Sequence, residues 1–271
     1  MTSLSRSEAG LRTPPTRPSG AWMVVAGQEL HDIWLSARGP VIVLAFSLLL
    51  SLLTYLAAAN KELNILDQKD TVNLIMQITL GIGVAVALLF SADTISGERE
   101  RETFESLLLT PAPRRQIALG KFLAAVSVWP VIMIVAIPYV WALKLGSGLF
   151  ADAVAAGFVV GTLLTIAFAS LGIIVSIFSN SNRLSLAASF FVFVVLLAPT
   201  QLPLSGWFGD FIINVNPVTA GSTFLDRVIV KDHGWGEESN LLIAPFLAAL
   251  IASSVAFAIA GRLRLQAGID R

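Results

Sequence analysis

Ala153-Val-Ala-Ala-Gly-Phe-Val-Val-Gly-Thr-Leu-Leu-Thr-Ile-Ala-Phe-Ala-Ser-Leu-Gly-Ile-Ile-Val-Ser-Ile-Phe178 runs without one ionisable side chain. At 1.5 Å per residue, a helix over this stretch is about 39 Å long. That crosses a hydrocarbon layer about 30 Å thick. Lipid offers no water to the backbone N–H and C=O groups, so such a run has to be helical. Five more blocks read the same way: Val41–Ala59, Val72–Ala92, Phe122–Trp141, Leu184–Leu202 and Leu241–Gly261. None of the six contains Asp, Glu, Lys, Arg or His. Composition agrees, with 55% apolar residues, 13% charged and mean hydropathy +0.78, where a soluble domain carries about 25% charge. The expected fold class is an all-α integral membrane protein with six transmembrane helices, occupying 41–261.

Lys and Arg in the connections set the orientation. With the N-terminus inside, the inner segments hold Arg6, Arg12, Arg17, Arg38, Arg99, Arg101, Arg114, Arg115, Lys121, Arg183, Arg262, Arg264 and Arg271. The outer ones hold Lys61, Lys69, Lys144, Arg227 and Lys231; these two sets account for all 18 basic residues. The bias satisfies the positive-inside rule and places both termini in the cytoplasm. Residues 1–20, rich in Ser, Thr, Pro and Arg, read as a disordered cytoplasmic tail, and 262–271 as a second tail. Over 21–40, Trp22, Ala26, Leu30, Ile33, Trp34 and Ala37 recur at helical spacing opposite Gln28, Asp32 and Ser36. This predicts an amphipathic helix lying in the inner interface, or a short soluble helix packed on the protein. The external connection 203–240 carries Trp207, Phe208 and an apolar stretch at Phe211–Val215. It reads either as helices dipping back into the outer leaflet or as an ordinary folded loop.

The chemistry open to such a chain is narrow. It has no cysteine, which removes thiolate ligands, cysteine nucleophiles and disulfides. Its 18 basic and 18 acidic residues cancel, so no basic surface points to nucleic acid. An ion-coupled secondary transporter working alone calls for membrane-embedded carboxylates and repeat symmetry, and neither is visible. An intramembrane enzyme calls for a reactive base or metal ligands in the spans. Gly120-Lys121 resembles the tail of a phosphate-binding loop, but its first glycine would fall on Arg115 and no Ser or Thr follows. ATP, if used, is therefore bound by another polypeptide.

The inner connection 93–121 is the most informative: Asp93-Thr-Ile-Ser-Gly-Glu-Arg-Glu-Arg-Glu-Thr-Phe-Glu-Ser-Leu-Leu-Leu-Thr-Pro-Ala-Pro113. Glu98–Leu109 has helix character, stopped by Pro111 and Pro113. Glu98–Arg101 and Arg101–Glu105 are spaced for local ion pairs of about 0.2–0.5 kcal/mol each, and Phe104, Leu107 and Leu108 share one side. Such a helix suits a groove on a soluble partner; a solvated charged loop that only serves topology fits the residues equally well.

The run Ile95-Ser-Gly-Glu-Arg-Glu-Arg-Glu-Thr-Phe-Glu-Ser-Leu-Leu-Leu-Thr-Pro111, then Arg114-Arg115-Gln116 and Leu119-Gly120-Lys121-Phe122, resembles the signature of type-2 ABC-transporter permeases. Gln28-Glu29-Leu30 and Asn216-Pro217-Val218 are similar to weaker features of that family. The resemblance implies a six-helix permease subunit with an interfacial helix before the first span and no catalytic, cofactor or metal site of its own. It implies an exporter formed with a second permease chain and two cytoplasmic ATPase subunits that bind ATP and Mg, in a bacterial or archaeal plasma membrane. It further implies that Glu98, Arg99, Glu100, Arg101, Glu102, Thr103, Phe104, Glu105, Leu107 and Leu108 form the coupling helix that grips the ATPase. A membrane anchor that recruits an ATPase without transport would look the same in sequence.

Two helix faces stand out. Gly157, Gly161 and Thr165, with Ala153 and Ala169, repeat a small residue every fourth position, and so do Ala244, Ala248, Ala252, Ala256 and Ala260. Small residues let helices approach closely in lipid, either within one bundle or between subunits. Asn73, Gln77 and Gly81 share a face of the second block, suited to a substrate path or to interhelical hydrogen bonds. Pro130 and Pro138 predict a kinked third span. The transported substrate is not readable.

Overall fold

The computed structural model describes residues 20–59, 68–100, 113–143, 149–201 and 206–261. All regular structure among these is helical: α1 (Ala21–Trp34), α2 (Arg38–Ala59), α3 (Gln68–Glu100), α4 (Arg114–Val126), α5 (Val128–Leu143), α6 (Leu149–Phe178), α7 (Asn182–Leu197), α8 (Gly206–Val215), α9 (Pro217–Ile229), α10 (Trp235–Glu238) and α11 (Ile243–Ala260). Six helical stretches are long and apolar enough to cross a membrane: Arg38–Ala57, Lys69–Glu100, Arg114–Leu143, Phe150–Phe178, Asn182–Thr200 and Trp235–Ala260. The chain is an all-α, six-span integral membrane protein. The tails, residues 1–19 and 262–271, lie outside the described residues.

Helices overrun the apolar blocks because i→i−4 bonds need no apolar side chain. The block Val72–Ala92 sits within α3, whose 33 residues measure about 50 Å. Its last two turns therefore project beyond a 30 Å hydrocarbon layer. The third span is broken at Ser127, between α4 and α5. Pro130, three residues past the break, has no N–H to donate to the Val126 carbonyl. Ser127 Oγ donates to Ala124 O at 2.6 Å and accepts from Trp34 Nε1 at 3.1 Å, which fastens α1 to the break. Pro138 lies inside α5 without ending it.

The core is the pair α3 and α6, whose contact is the most extensive in the bundle. Close approach depends on the small residues of α6. A Cβ at Gly157 would stand 1.9 Å from Met76 Cε, one at Gly161 1.9 Å from the Trp129 ring, and one at Gly172 2.0 Å from Ser91 Oγ. Thr165 is buried on the same side. The small-residue stripe of α6 thus packs against the chain's own α3 and α5. The alanine stripe of α11 likewise turns inward, with Ala256 and Ala260 buried in a second apolar cluster beside Phe122, Ile173 and Ile177. Phe122 and Phe257 meet edge to face there, centroids 5.6 Å apart. In lipid this packing holds the helices by dispersion, not by exclusion of water. By contrast α2 leaves Leu44, Leu48, Leu52 and Tyr55 exposed, and α7 leaves Phe190, Phe191, Val194 and Val195 exposed. Tyr139 of α5 ties α2 down, its hydroxyl 2.8 Å from both Ser47 Oγ and Ser51 Oγ.

One end of the bundle, termed the head, gathers α1, the end of α3, the start of α4 and the α6–α7 turn. Gly261, after α11, also lies there against Arg115. The other end is closed by the described part of segment 203–240. Asn216 caps α9 by accepting from Val218 N at 2.9 Å and Thr219 N at 3.2 Å, with Pro217 at the first helical position. Its Nδ2 donates to Leu196 O at 2.9 Å. From there α9 runs between α3, α6 and α11, with Ala220, Phe224, Leu225 and Ile229 fully buried. At its exit Asp232 takes a left-handed φ of 54° while His233 N bonds Arg227 O at 3.0 Å, closing the helix end.

Replacing Gly161 by Ala should cost about 1–3 kcal/mol, since the fully buried Trp129 ring has to move. Gly27→Ala, in an exposed and open position of α1, should instead stabilise by up to about 1 kcal/mol. Thermal unfolding of both variants in detergent micelles checks this ordering.

Candidate functional site

The head is organised by a helix crossing. A Cβ at Gly120 of α4 would fall 2.8 Å from Val25 Cβ, 2.9 Å from Ala26 N and 2.9 Å from Trp22 O of α1. Two of these are backbone atoms that cannot rotate aside, so only glycine permits the crossing. It brings the next residue, Lys121, onto α1. Its ammonium, 2% exposed, pairs with Glu29 of α1 and donates to Glu98 Oε1 of α3 at 2.6 Å. Gly120-Lys121 is thereby a helix-crossing element. An isolated buried ammonium is costly, and two carboxylates compensate it.

The end of α3 is stitched to the α6–α7 turn. Arg99 donates to Ser179 O at 2.8 Å and Ile177 O at 3.4 Å, placing positive charge on the carbonyls that α6 leaves unbonded at its C-terminus. Glu100 Oε2 accepts from Asn182 N at 3.1 Å, the matching anionic contact at the start of α7. Ser176 Oγ accepts from Ile95 N at 3.1 Å and Ser96 N at 2.9 Å. Ser185 Oγ donates to Ala92 O at 2.8 Å, and Arg38 lies 3.6 Å from Asp93. With Ser96 Oγ of α3, which accepts from Ser176 Oγ at 3.3 Å, hydroxyls of three helices share one buried polar layer beneath the charged one.

The sequence-predicted coupling residues divide here. Glu98, Arg99 and Glu100 are turned onto their own chain, on Lys121, the end of α6 and the start of α7 respectively. Arg101, Glu102, Thr103, Phe104, Glu105, Leu107 and Leu108 lie outside the described residues, as do the two local ion pairs of Arg101.

A cavity of about 490 Å³ occupies the half of the bundle away from the head, lined by Leu74, Gln77, Ile78, Leu80, Gly81, Ile82, Val84, Ala85, Leu164, Phe193, Leu197, Thr200, Val218, Ser222 and Leu225. Its wall is apolar apart from Gln77, Thr200 and Ser222, so it can hold an uncharged, largely apolar group with a few hydrogen bonds. Gln77 and Gly81 line it. Asn73 does not: it is buried and donates to Asp226 Oδ1 of α9 at 3.4 Å. Beyond it lies an ionic cap, with Lys69 paired to Asp232, Lys231 3.3 Å from Asp226, and the buried Glu238 held by Arg227 at 2.7 Å and His233 at 2.6 Å.

Sequence reading missed the Lys121–Glu29 pairing and the Asn73–Asp226 contact. The partners stand 92 and 153 residues apart. The one local signal was a lone Lys beside Gly at the edge of an apolar block. Gly120→Val should separate α1 from α4 while leaving the spans inserted. The expected readouts are normal amounts of membrane-integrated chain and a protease-sensitive α1; an α1 as protected as in the parent would contradict the crossing.

No curated protein matches the chain. The family described as ABC-2 family transporter protein matches residues 23–218. That interval begins in α1 and ends in the first turn of α9, so it takes in most of the head and all but the last span. Members of the family are membrane permease components of ABC transporters and associate with ABC ATPases. The chain belongs to the ABC-2 transporter family, as an integral membrane permease of an ABC transporter.

Proposed function

We propose that this permease and a second permease chain, identical or related, form the pathway of an ATP-driven exporter, with the head facing the cytoplasm of a bacterium or archaeon. Each of the two sits on a separate ATPase subunit, which binds ATP and Mg, and both ends of the chain are cytoplasmic. The positive-inside bias of the connections supports this orientation.

One observation carries the reading: the end of α3 emerges as a charged helix tied on three sides to the ends of other spans. A push delivered to that helix reaches α4 through Lys121, α6 through Arg99 and α7 through Glu100. Residues Arg101 to Leu108 continue directly from this point, and in our reading they supply the surface that enters the ATPase, with Phe104, Leu107 and Leu108 as its apolar side. The cavity between α3, α7 and α9 would take the apolar part of an amphiphilic substrate, with Gln77 contacting its polar part. In the same reading α8 and α9 dip into the outer half of the membrane, and α1 lies in the inner interface with Met23 and Val24, 60% and 73% exposed, toward lipid.

The test is gentle purification of the tagged chain from its native membranes. A near-stoichiometric ABC ATPase and vanadate-sensitive ATP hydrolysis are expected; an inactive chain without such a partner, reproduced under cross-linking, would contradict the reading. Phe104→Ala and Glu102→Arg should each reduce the co-purified ATPase severalfold without changing membrane insertion. Glu98→Arg should act differently, by placing a second cation against Lys121 and loosening the head itself.

A further inference from the structure

Among the described residues, Lys121 is the one buried cation. It belongs to none of the surfaces through which an ATPase or a substrate would be contacted. Its position is nevertheless particular. Three elements meet at its ammonium: α1 through Glu29, α4 through its own backbone, and the last turn of α3 through Glu98. Two further holds on α1 attach it to the third span only, at Gly120 and through Trp34 to Ser127. Through this one ammonium the two ion pairs link α1 to the projecting end of α3.

Ion pairs and apolar contacts respond differently to displacement. Apolar contacts let helices slide, because one methyl replaces another at little cost. A desolvated ammonium shared by two carboxylates resists, since withdrawing either one gives up a close charge-assisted contact in a medium of low dielectric and leaves that carboxylate without its cation. Such a joint suits elements that must keep their relative position while the whole moves.

We propose that Lys121 is a positioning residue of coupling: its ammonium fastens α1 to the ATPase-facing end of α3, so that α1, the start of α4 and the last turn of α3 travel as one rigid body. This rests on the reading that the head meets the ATPase. In consequence the helix at the membrane surface is a moving part of the transporter, driven through Glu98 and Lys121, and not a passive float.

The cysteine-free chain allows a direct test by spin-label distance measurement. Val24→Cys, on the exposed side of α1, and Asn180→Cys, in the exposed turn that Arg99 ties to α3, are placed in one chain and diluted with the cysteine-free parent, so that each ATPase complex in lipid nanodiscs holds at most one labelled copy and gives one distance. The expected parent distribution is a single narrow peak, unchanged in width and position on vanadate trapping with ATP and Mg. Lys121→Met should broaden it at least twofold, and the exchange Lys121→Glu with Glu98→Lys should narrow it again. A Lys121→Met distribution as narrow as the parent's would overturn the proposal, as would a parent distance that shifts on trapping. Should Lys121→Met fail to accumulate, the trapping measurement on the parent alone still decides between one body and two. Widths measured on the permease alone in nanodiscs, without any ATPase, test the joint independently of that reading. A parent chain that retains no ATPase would instead overturn the reading beneath the proposal, and the coupling role with it.

Discussion

The glycine edge of α6 is the constraint on which the bundle depends. Gly157, Gly161 and Gly172 lie on a single helix, and each faces a group that would collide with a Cβ: Met76, Trp129 and Ser91. Their absence of side chain brings α6 against α3 over nearly its full length. Between apolar helices in lipid there is no hydrophobic driving force, so contact distance sets the strength of association. The remaining elements are placed by this pair: α5 through Trp129, α9 through Gly221 beside Val160, and α11 through its alanines.

Polar groups are distributed by depth in a way that follows from the same solvent. Tyr139 bridges α5 to Ser47 and Ser51 of α2, but within the α3–α6 pair the mid-depth hydroxyls bond carbonyls of their own helix, such as Thr79 to Ile75 and Ser170 to Ile166. Towards the head the hydroxyls begin to bridge helices, as Ser176 and Ser185 do. At the head itself charged groups take over, with Lys121 on Glu29 and Glu98, Arg99 on the end of α6 and Glu100 on the start of α7.

The six spans were legible because the absence of charge over twenty or more residues has one physical solution in lipid. Helix limits were less so: α3 continues through Glu98–Glu100 although the apolar block stops at Ala92. Asn216-Pro217 reads as a cap and first helical position once α9 is seen, yet the sequence reading used it only as a family feature. Helical spacing puts Asn73, Gln77 and Gly81 on one face of α3, but spacing does not say what stands opposite. Gln77 and Gly81 meet open space, whereas Asn73 meets Asp226. Lys121 was visible only as a residue at the edge of a block, since its partners come from α1 and α3. Tertiary pairing of this kind leaves no periodic trace.

The account stands on the head being the surface that meets the ATPase. Photoreactive side chains can be placed singly at Asn180 and Arg183 in the head, and at Trp207 and Glu237 at the other end, all exposed. In the intact complex, cross-links to the ATPase should form from the head positions alone. Cross-links from Trp207 or Glu237, or none from the head while the ATPase remains bound, would contradict it.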